Sequence, residues 1–93
     1  MDVLRTDKIQ AVIEKHPALR SALSRWMTYA EGAEWHNIME VRQIFPTADG
    51  GVKGAYTVFN IKGNDFRLIT VIDYELQVIA IIDIFTHAEY SKW

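Results

Sequence analysis

Hydrophobic residues in the first half of the chain recur at helical spacing. The strongest pattern predicts a helix that starts at Pro17 and stops near Gly32, because proline suits a first helical turn and glycine a C-terminal end. Its apolar stripe consists of Leu19, Leu23, Trp26, Met27 and Ala30. A stripe of this kind is typical of a helix face that packs into a core, so we interpret Trp26 and Met27 as core residues.

Two shorter helices flank this segment. The first is predicted to begin at Thr6 and Asp7, which are favourable N-cap residues, and to end before the proline at position 17. The other is predicted to end before Pro46, and its apolar face consists of Ile38, Val41 and Ile44. Trp35 lies between two of the predicted helices, and we interpret it as a core residue as well.

The second half of the chain has the composition of strands and turns. Its β-branched and aromatic residues predict three strands in an antiparallel meander, over Ala55–Ile61, Phe66–Asp73 and Val78–Phe85. The segment Thr47–Gly54 between the two halves is rich in turn residues and is predicted to be a loop. The last strand is apolar on both faces except at Asp83, which predicts a central position in the sheet with helices covering one side.

A short helix is predicted at the end of the chain. Thr86 and Glu89 have the spacing of a capping box, and the helix that they open carries Tyr90, Lys92 and Trp93. The order of elements predicts an α+β fold in which the N-terminal helices pack on one face of a small antiparallel sheet. With 93 residues, a hydrophobic content of 49% and no linker composition, we expect a single domain over residues 1–93.

Composition excludes several classes of function. Cysteine is absent, which excludes disulfides, thiolate catalysis and cysteine-ligated zinc. The three histidines, His16, His36 and His87, lack metal-ligand spacing, and no glycine-rich phosphate loop occurs, so we expect no metal and no cofactor. No leader pattern or membrane-spanning segment is found, so we expect a soluble, cytoplasmic protein without membrane contact.

The net charge of −2 argues against a global positive field that would attract nucleic acid. The half of the chain up to Pro46 has six basic and six acidic residues, whereas the other half has four basic and six acidic ones. This balance is still compatible with a small basic patch formed by the four basic residues of the second half, which are Lys53, Lys62, Arg67 and Lys92. Strand parity permits Arg67 to share a sheet face with Asp73 and Asp83, so its partner is either a carboxylate or a phosphate.

A loose group of polar residues in the second half includes the residue types of metal-free RNA cleavage. That reaction needs a proton acceptor for the 2′-hydroxyl, a proton donor for the leaving 5′-oxygen and cations that stabilise the phosphorane. His87 and Tyr90 are three residues apart on the predicted last helix, so they point the same way. From spacing alone, a capping role for His87 and a packing role for Tyr90 are favoured over catalysis, and Lys62–Asp65 is most simply a hairpin turn.

Four blocks of sequence occur in order along the chain: AEWHN from Ala33, FPTAD from Phe45, VFNIKGN from Val58 with RLI from Arg67, and THAEY from Thr86. Together they resemble the HigB family of toxins from bacterial toxin–antitoxin systems, within the RelE/ParE-like group. The resemblance implies a RelE-like fold in which a first strand at Val3 and Leu4 pairs with the meander. It also implies that the sheet face away from the helices forms the working surface together with the C-terminal segment.

The same resemblance implies a toxin that cleaves messenger RNA on the ribosome as a metal-independent endoribonuclease. A cognate HigA-like helix-turn-helix antitoxin would neutralise it, and both a homodimer and a toxin–antitoxin heterotetramer are compatible with the family. Combined with the polar residues above, the resemblance gives the candidate catalytic residues His87, Tyr90, Arg67 and Lys92, and the candidate RNA-binding residues Lys62, Asn64 and Lys53.

Two positions depart from the family pattern. Ile82 stands where the family motif usually has an arginine, and His36 stands where a lysine often follows the tryptophan. Fewer cations mean weaker electrostatic stabilisation of a reacting phosphate. The alternative hypothesis is therefore a toxin-fold protein with weakened or lost nuclease activity that acts by protein binding, as an antitoxin-binding corepressor or as an inhibitor of another target.

Overall fold

The chain folds as a layer of helices against one five-stranded sheet. The computed structural model describes residues 1–93. Its elements are β1 (Asp2–Leu4), α1 (Thr6–Lys15), α2 (Arg20–Gly32), α3 (Ile38–Ile44), β2 (Asp49–Val52), β3 (Tyr56–Ile61), β4 (Phe66–Asp73), β5 (Val78–Thr86) and α4 (His87–Lys92). A 3₁₀ turn at Pro17–Leu19 leads into α2, where proline fits the first turn. The predicted α+β class and the short C-terminal helix are confirmed.

The strand order in the sheet is β1-β5-β4-β3-β2. The predicted antiparallel meander of β3, β4 and β5 is confirmed. β1 runs parallel to β5, with Val3 beside Ile79, so the pairing implied for the first strand exists but the prediction of an antiparallel sheet is wrong at this edge. β5 lies between β1 and β4, so the prediction that it is an interior strand is confirmed, and β4 is the middle strand of the five.

The predicted loop Thr47–Gly54 contains an edge strand. β2 pairs with β3 through Asp49 opposite Val58 and Val52 opposite Tyr56, with an irregularity between the two pairs. The turn residues do form a turn directly afterwards, where Lys53 and Gly54 have positive φ. A short edge strand is held by main-chain hydrogen bonds and needs no apolar alternation, which is why the hydrophobic pattern did not predict β2.

The main core lies between the helices and one face of the sheet. All members of the predicted α2 stripe are buried except Met27, which is half-buried against the core. From the sheet, Phe59 packs edge to face against Trp26 and Phe45, with ring centroids 5.3 Å apart in both pairs. Trp35 is 4% exposed, which confirms its assignment to the core.

α1 begins at Thr6 as predicted, but no side chain caps it. Arg5 precedes the helix with a φ of 65°, and its guanidinium donates to both carboxylate oxygens of Asp7 at 3.0 Å. The hydrogen bond from Arg5 lowers the pKa of Asp7. The predicted capping role of Asp7 is therefore wrong, because its carboxylate binds the arginine instead of the free amides of the first turn.

The sheet face opposite the core carries the polar candidate residues. Strand register places Asn60, Arg67 and Phe85 in one row across β3, β4 and β5. In the next row, Val58 and Ile69 are buried although they lie outside the main core cluster. α4 follows β5 directly and packs against β4 and β5. β4 is therefore covered on both faces.

Phe59→Ala removes the ring that joins Trp26 to Phe45 and leaves a cavity. We expect the free energy of unfolding to fall by about 3–5 kcal/mol, measured by urea denaturation. The control Leu76→Ala truncates a side chain that is 70% exposed, so its effect should stay below about 0.5 kcal/mol. Similar losses in the two variants would contradict this placement of the core.

Candidate active site

Arg67 is the central residue of the polar face. It lies on β4 with its side chain away from the core, as strand parity predicts, and it is only 9% exposed. Its Nη1 donates to the main-chain oxygens of Asn64 at 2.9 Å and Phe66 at 3.3 Å. Its Nη2 donates to Oδ1 of Asn64 at 2.7 Å. The guanidinium is thus held in one place by uncharged acceptors.

No carboxylate pairs with Arg67. The ion pairs within 4.0 Å are Arg5–Asp7 and His36–Glu40. Asp83 and Asp73 both accept hydrogen bonds from main-chain amides, of Ile84 at 2.8 Å and Leu76 at 2.9 Å respectively. The carboxylate partner that strand parity permits for Arg67 is therefore absent. Because burying a charge without a counter-ion is costly, this position favours an anionic ligand.

His87 is the first residue of α4 and contacts the guanidinium directly. Its Nδ1 lies 3.2 Å from Nη2 of Arg67. Since a guanidinium has only donors, Nδ1 is the acceptor in this contact. The His87 amide donates to the main-chain oxygen of Asp65 at 2.9 Å, which ties the start of α4 to the β3–β4 turn.

Tyr90 lies one turn further along α4, and its ring centroid is 5.6 Å from Cζ of Arg67. The prediction that His87 and Tyr90 point the same way is confirmed. Tyr90 also packs against Trp93, with centroids 5.9 Å apart, so the same side chain contacts both Trp93 and Arg67. We call Asn64, Arg67, His87 and Tyr90 the Arg67 cluster.

The predicted capping box at the start of α4 is confirmed and orients His87. Oγ1 of Thr86 accepts from the Glu89 amide at 3.1 Å, and Oε1 of Glu89 accepts from the Thr86 amide at 2.8 Å. The hydrogen bond from the Thr86 amide is the main reason that the pKa of Glu89 lies below its ordinary value. The box satisfies two amides that a short helix leaves free.

The remaining candidate cations do not contact the Arg67 cluster. Lys62 has a φ of 54° in the β3–β4 turn and borders a cleft of about 260 Å³ that Ala22 and Arg25 of α2 also line. Lys92 is exposed at the end of α4, and its side chain forms no hydrogen bond or ion pair. Lys53 donates to the main-chain oxygen of Trp93 and lies over the Trp93 ring. Of the four basic residues in the second half, only Arg67 lies within the cluster.

An aromatic group beside the cluster was not predicted. Trp93 packs against Tyr56 with centroids 5.2 Å apart, and against Phe85 at 5.9 Å. These residues come from the start of β3, the end of β5 and the residue after α4. Their aromatic character is visible in the sequence, but their convergence depends on strand register and on how α4 returns over the sheet.

The structure contains no group of three or more His, Asp or Glu side chains arranged to hold a metal ion. None of its helices combines the length and the apolar character that crossing a bilayer requires.

Comparison with known proteins identifies a family. A family model described as HigB toxin, RelE-like toxic component of a toxin–antitoxin system, matches residues 19–93. The match begins at the end of the 3₁₀ turn and includes every residue of the Arg67 cluster. No curated protein shows a significant match to the chain.

The capping box makes a prediction about pH. Because the folded state lowers the pKa of Glu89, its stabilisation of α4 is present above the unfolded-state pKa of about 4.3 and is lost as the pH falls through the folded-state value. We expect the Thr86 amide proton signal in NMR to titrate in this acid range. Glu89→Gln keeps an acceptor but cannot titrate, so the effect should disappear. A Thr86 signal that titrates at or above the unfolded-state pKa of Glu89 would exclude the box in solution.

Arg67→Met tests whether Arg67 stabilises the fold. A buried cation with no counter-ion contributes little net stability, so an apolar side chain of similar length should change the free energy of unfolding by less than about 1 kcal/mol in either direction. Urea denaturation of the two proteins measures this difference. A loss of about 3 kcal/mol or more would show that Arg67 is instead a structural residue.

Proposed function

The chain belongs to the HigB toxin family, the RelE-like toxic component of a toxin–antitoxin system, and from this premise we propose that it cleaves messenger RNA on the ribosome. The Arg67 cluster is the proposed active site. Membership of the family implies an antitoxin partner, and we propose that this partner is a HigA-like helix-turn-helix protein. The proposed toxin is an endoribonuclease that uses side chains alone for proton transfer and charge stabilisation.

One observation carries this proposal. The Arg67 guanidinium is 9% exposed, lacks a carboxylate partner and contacts both proton-transfer candidates of α4. A fixed cation of this kind costs no reorganisation when negative charge develops beside it. The four N–H groups on its terminal nitrogens are bound to Asn64, Phe66 and His87, so the guanidinium offers a phosphate its fixed charge and its Nε–H donor. A phosphodiester is therefore the ligand that best fits the cluster.

In the proposed reaction, the ribose 2′-oxygen attacks the adjacent phosphorus and the bond to the 5′-oxygen breaks. One proton leaves the 2′-hydroxyl and one is added to the 5′-oxygen, so the products are a 2′,3′-cyclic phosphate and a 5′-hydroxyl. We assign the two proton transfers to His87 and Tyr90 as a pair, and the charge of the phosphorane to Arg67. Asn64 holds the guanidinium through its main-chain and side-chain oxygens.

A binding function is the second candidate, and the charge distribution favours it. The cluster contains one permanent cation, Arg67. The Lys53 ammonium is bound to Trp93 and does not add a second one. Ile82, at the usual position of a family arginine, is the extra residue of a bulge in β5, since Ile69 pairs with Asp83 and Thr70 with Ile81. Under this hypothesis the protein binds its antitoxin or another protein without cleaving RNA.

We predict that the wild-type protein arrests growth when induced without antitoxin and produces new mRNA 5′ ends in a purified translation reaction that contains ribosomes. His87→Ala and Tyr90→Phe should each lower the cleavage rate by about 10²–10⁴-fold, because each removes one proton-transfer group. Primer extension on the mRNA measures the rate. Tyr29→Phe is the matched control, because it removes a hydroxyl from an exposed tyrosine of α2 outside the cluster.

The same experiment separates the two candidate functions. Normal growth with folded protein and no ribosome-dependent cleavage contradicts the nuclease. If that protein still forms a tight complex with the antitoxin encoded beside it, the binding function remains. Cleavage that His87→Ala and Tyr90→Phe leave unchanged would place the active site elsewhere on the toxin.

A further inference from the structure

α4 depends on contacts at its two ends. It has six residues, and none of them is buried. Isolated helices shorter than about 12 residues are marginal in water, so α4 requires tertiary anchors. Its first end is held by the capping box and by the bond from the His87 amide to Asp65. The position of Tyr90, one turn later, then depends on the contacts at the C-terminal end of α4.

Trp93 anchors that other end on the sheet. Its ring contacts Tyr56, Phe85 and Tyr90 at centroid distances of 5.2, 5.9 and 5.9 Å. Phe85 stands opposite Arg67 in the β4–β5 register, so the anchor adjoins the Arg67 cluster. Trp93 and Tyr90 are one helical turn apart, and the Trp93 amide donates to the Tyr90 main-chain oxygen at 3.1 Å. A displacement of Trp93 therefore moves Tyr90.

Lys53, in the β2–β3 turn, contacts both the ring and the main chain of Trp93. Its Nζ lies 4.0 Å from the centroid of the Trp93 ring and also donates to the Trp93 main-chain oxygen. The ring face attracts the ammonium through its quadrupole, and the oxygen accepts one of its protons. The φ of 51° at Lys53 places the residue in a left-handed turn. Lys53 and Trp93 are forty positions apart in the sequence.

We propose that Lys53 and Trp93 are positioning residues that hold Tyr90 over Arg67. We call this pair the Trp93 clasp. The proposal replaces the expected role of Lys53 as an RNA-binding residue, because its ammonium already has two partners inside the protein. Its catalytic consequence rests on the proposed function, whereas its structural consequence for α4 does not.

The structural test uses NMR of the protein without RNA. Lys53→Met keeps the length of the side chain and the same left-handed strain but removes the charge. We expect the Trp93 indole and Tyr90 ring signals to shift and the α4 amides to exchange faster by about tenfold. Lys53→Arg should retain the wild-type signals, because a guanidinium also binds an aromatic face. Lys8→Met, on α1, controls for the loss of one positive charge.

The kinetic test uses ribosomes programmed with mRNA. If the clasp positions Tyr90, Lys53→Met should lower kcat by about tenfold with KM unchanged, and Lys53→Arg should restore kcat. If Lys53 instead binds RNA, KM should rise, more steeply at high salt, and the α4 signals should stay in place. That second pattern overturns the proposal, as does a Lys53→Met protein identical to wild type in both tests.

The two proposals fail in different ways. A wild-type protein that does not cleave RNA refutes the nuclease, while the NMR test still decides the clasp. A wild-type protein that cleaves RNA, together with unshifted Tyr90 and Trp93 signals in Lys53→Met, refutes the clasp alone.

Discussion

Arg67 carries a positive charge in the middle strand of the sheet without a carboxylate to balance it. The β3–β4 turn makes this arrangement possible. Asn64 of the turn accepts twice from the guanidinium, and Asp65 accepts from the His87 amide. One turn therefore fixes both the cation and the start of the helix that faces it. The geometry of the Arg67 cluster therefore depends on this turn.

The two faces of the sheet differ in how much apolar surface they bury. The face under α2 holds the main core, where Trp26, Phe45 and Phe59 form a continuous aromatic contact. The other face buries a smaller apolar group and uses the rest of its area for polar residues. In a chain of 93 residues, stability must come mainly from the first face, because small domains bury a limited fraction of their surface. The second face can then hold an unbalanced charge and a helix with no buried residue.

Local signals predicted most of the fold. The α2 stripe, the capping box at Thr86 and the three-residue spacing of His87 and Tyr90 depend only on neighbours in sequence, and the structure confirms all three. One error is local, because Asp7 binds Arg5 and does not cap α1. The other errors concern pairing between distant segments. β1 joins β5 across the whole chain, and β2 forms from turn residues because β3 supplies its partners. For the same reason, parity placed Arg67 on the correct face but did not identify its neutral partners. No pattern in the sequence indicated that Lys53 binds Trp93.

The net charge of −2 suggested at first that nucleic acid is an unsuitable ligand. Under the proposed function the net charge of the whole surface matters less than the charge at one position, because a single phosphodiester would be stabilised by one immobile guanidinium. The most direct test is the single-turnover rate at which folded Arg67→Met cleaves ribosome-bound mRNA. We predict a loss of at least about 100-fold relative to wild type. Cleavage by folded Arg67→Met at the wild-type rate would contradict this prediction.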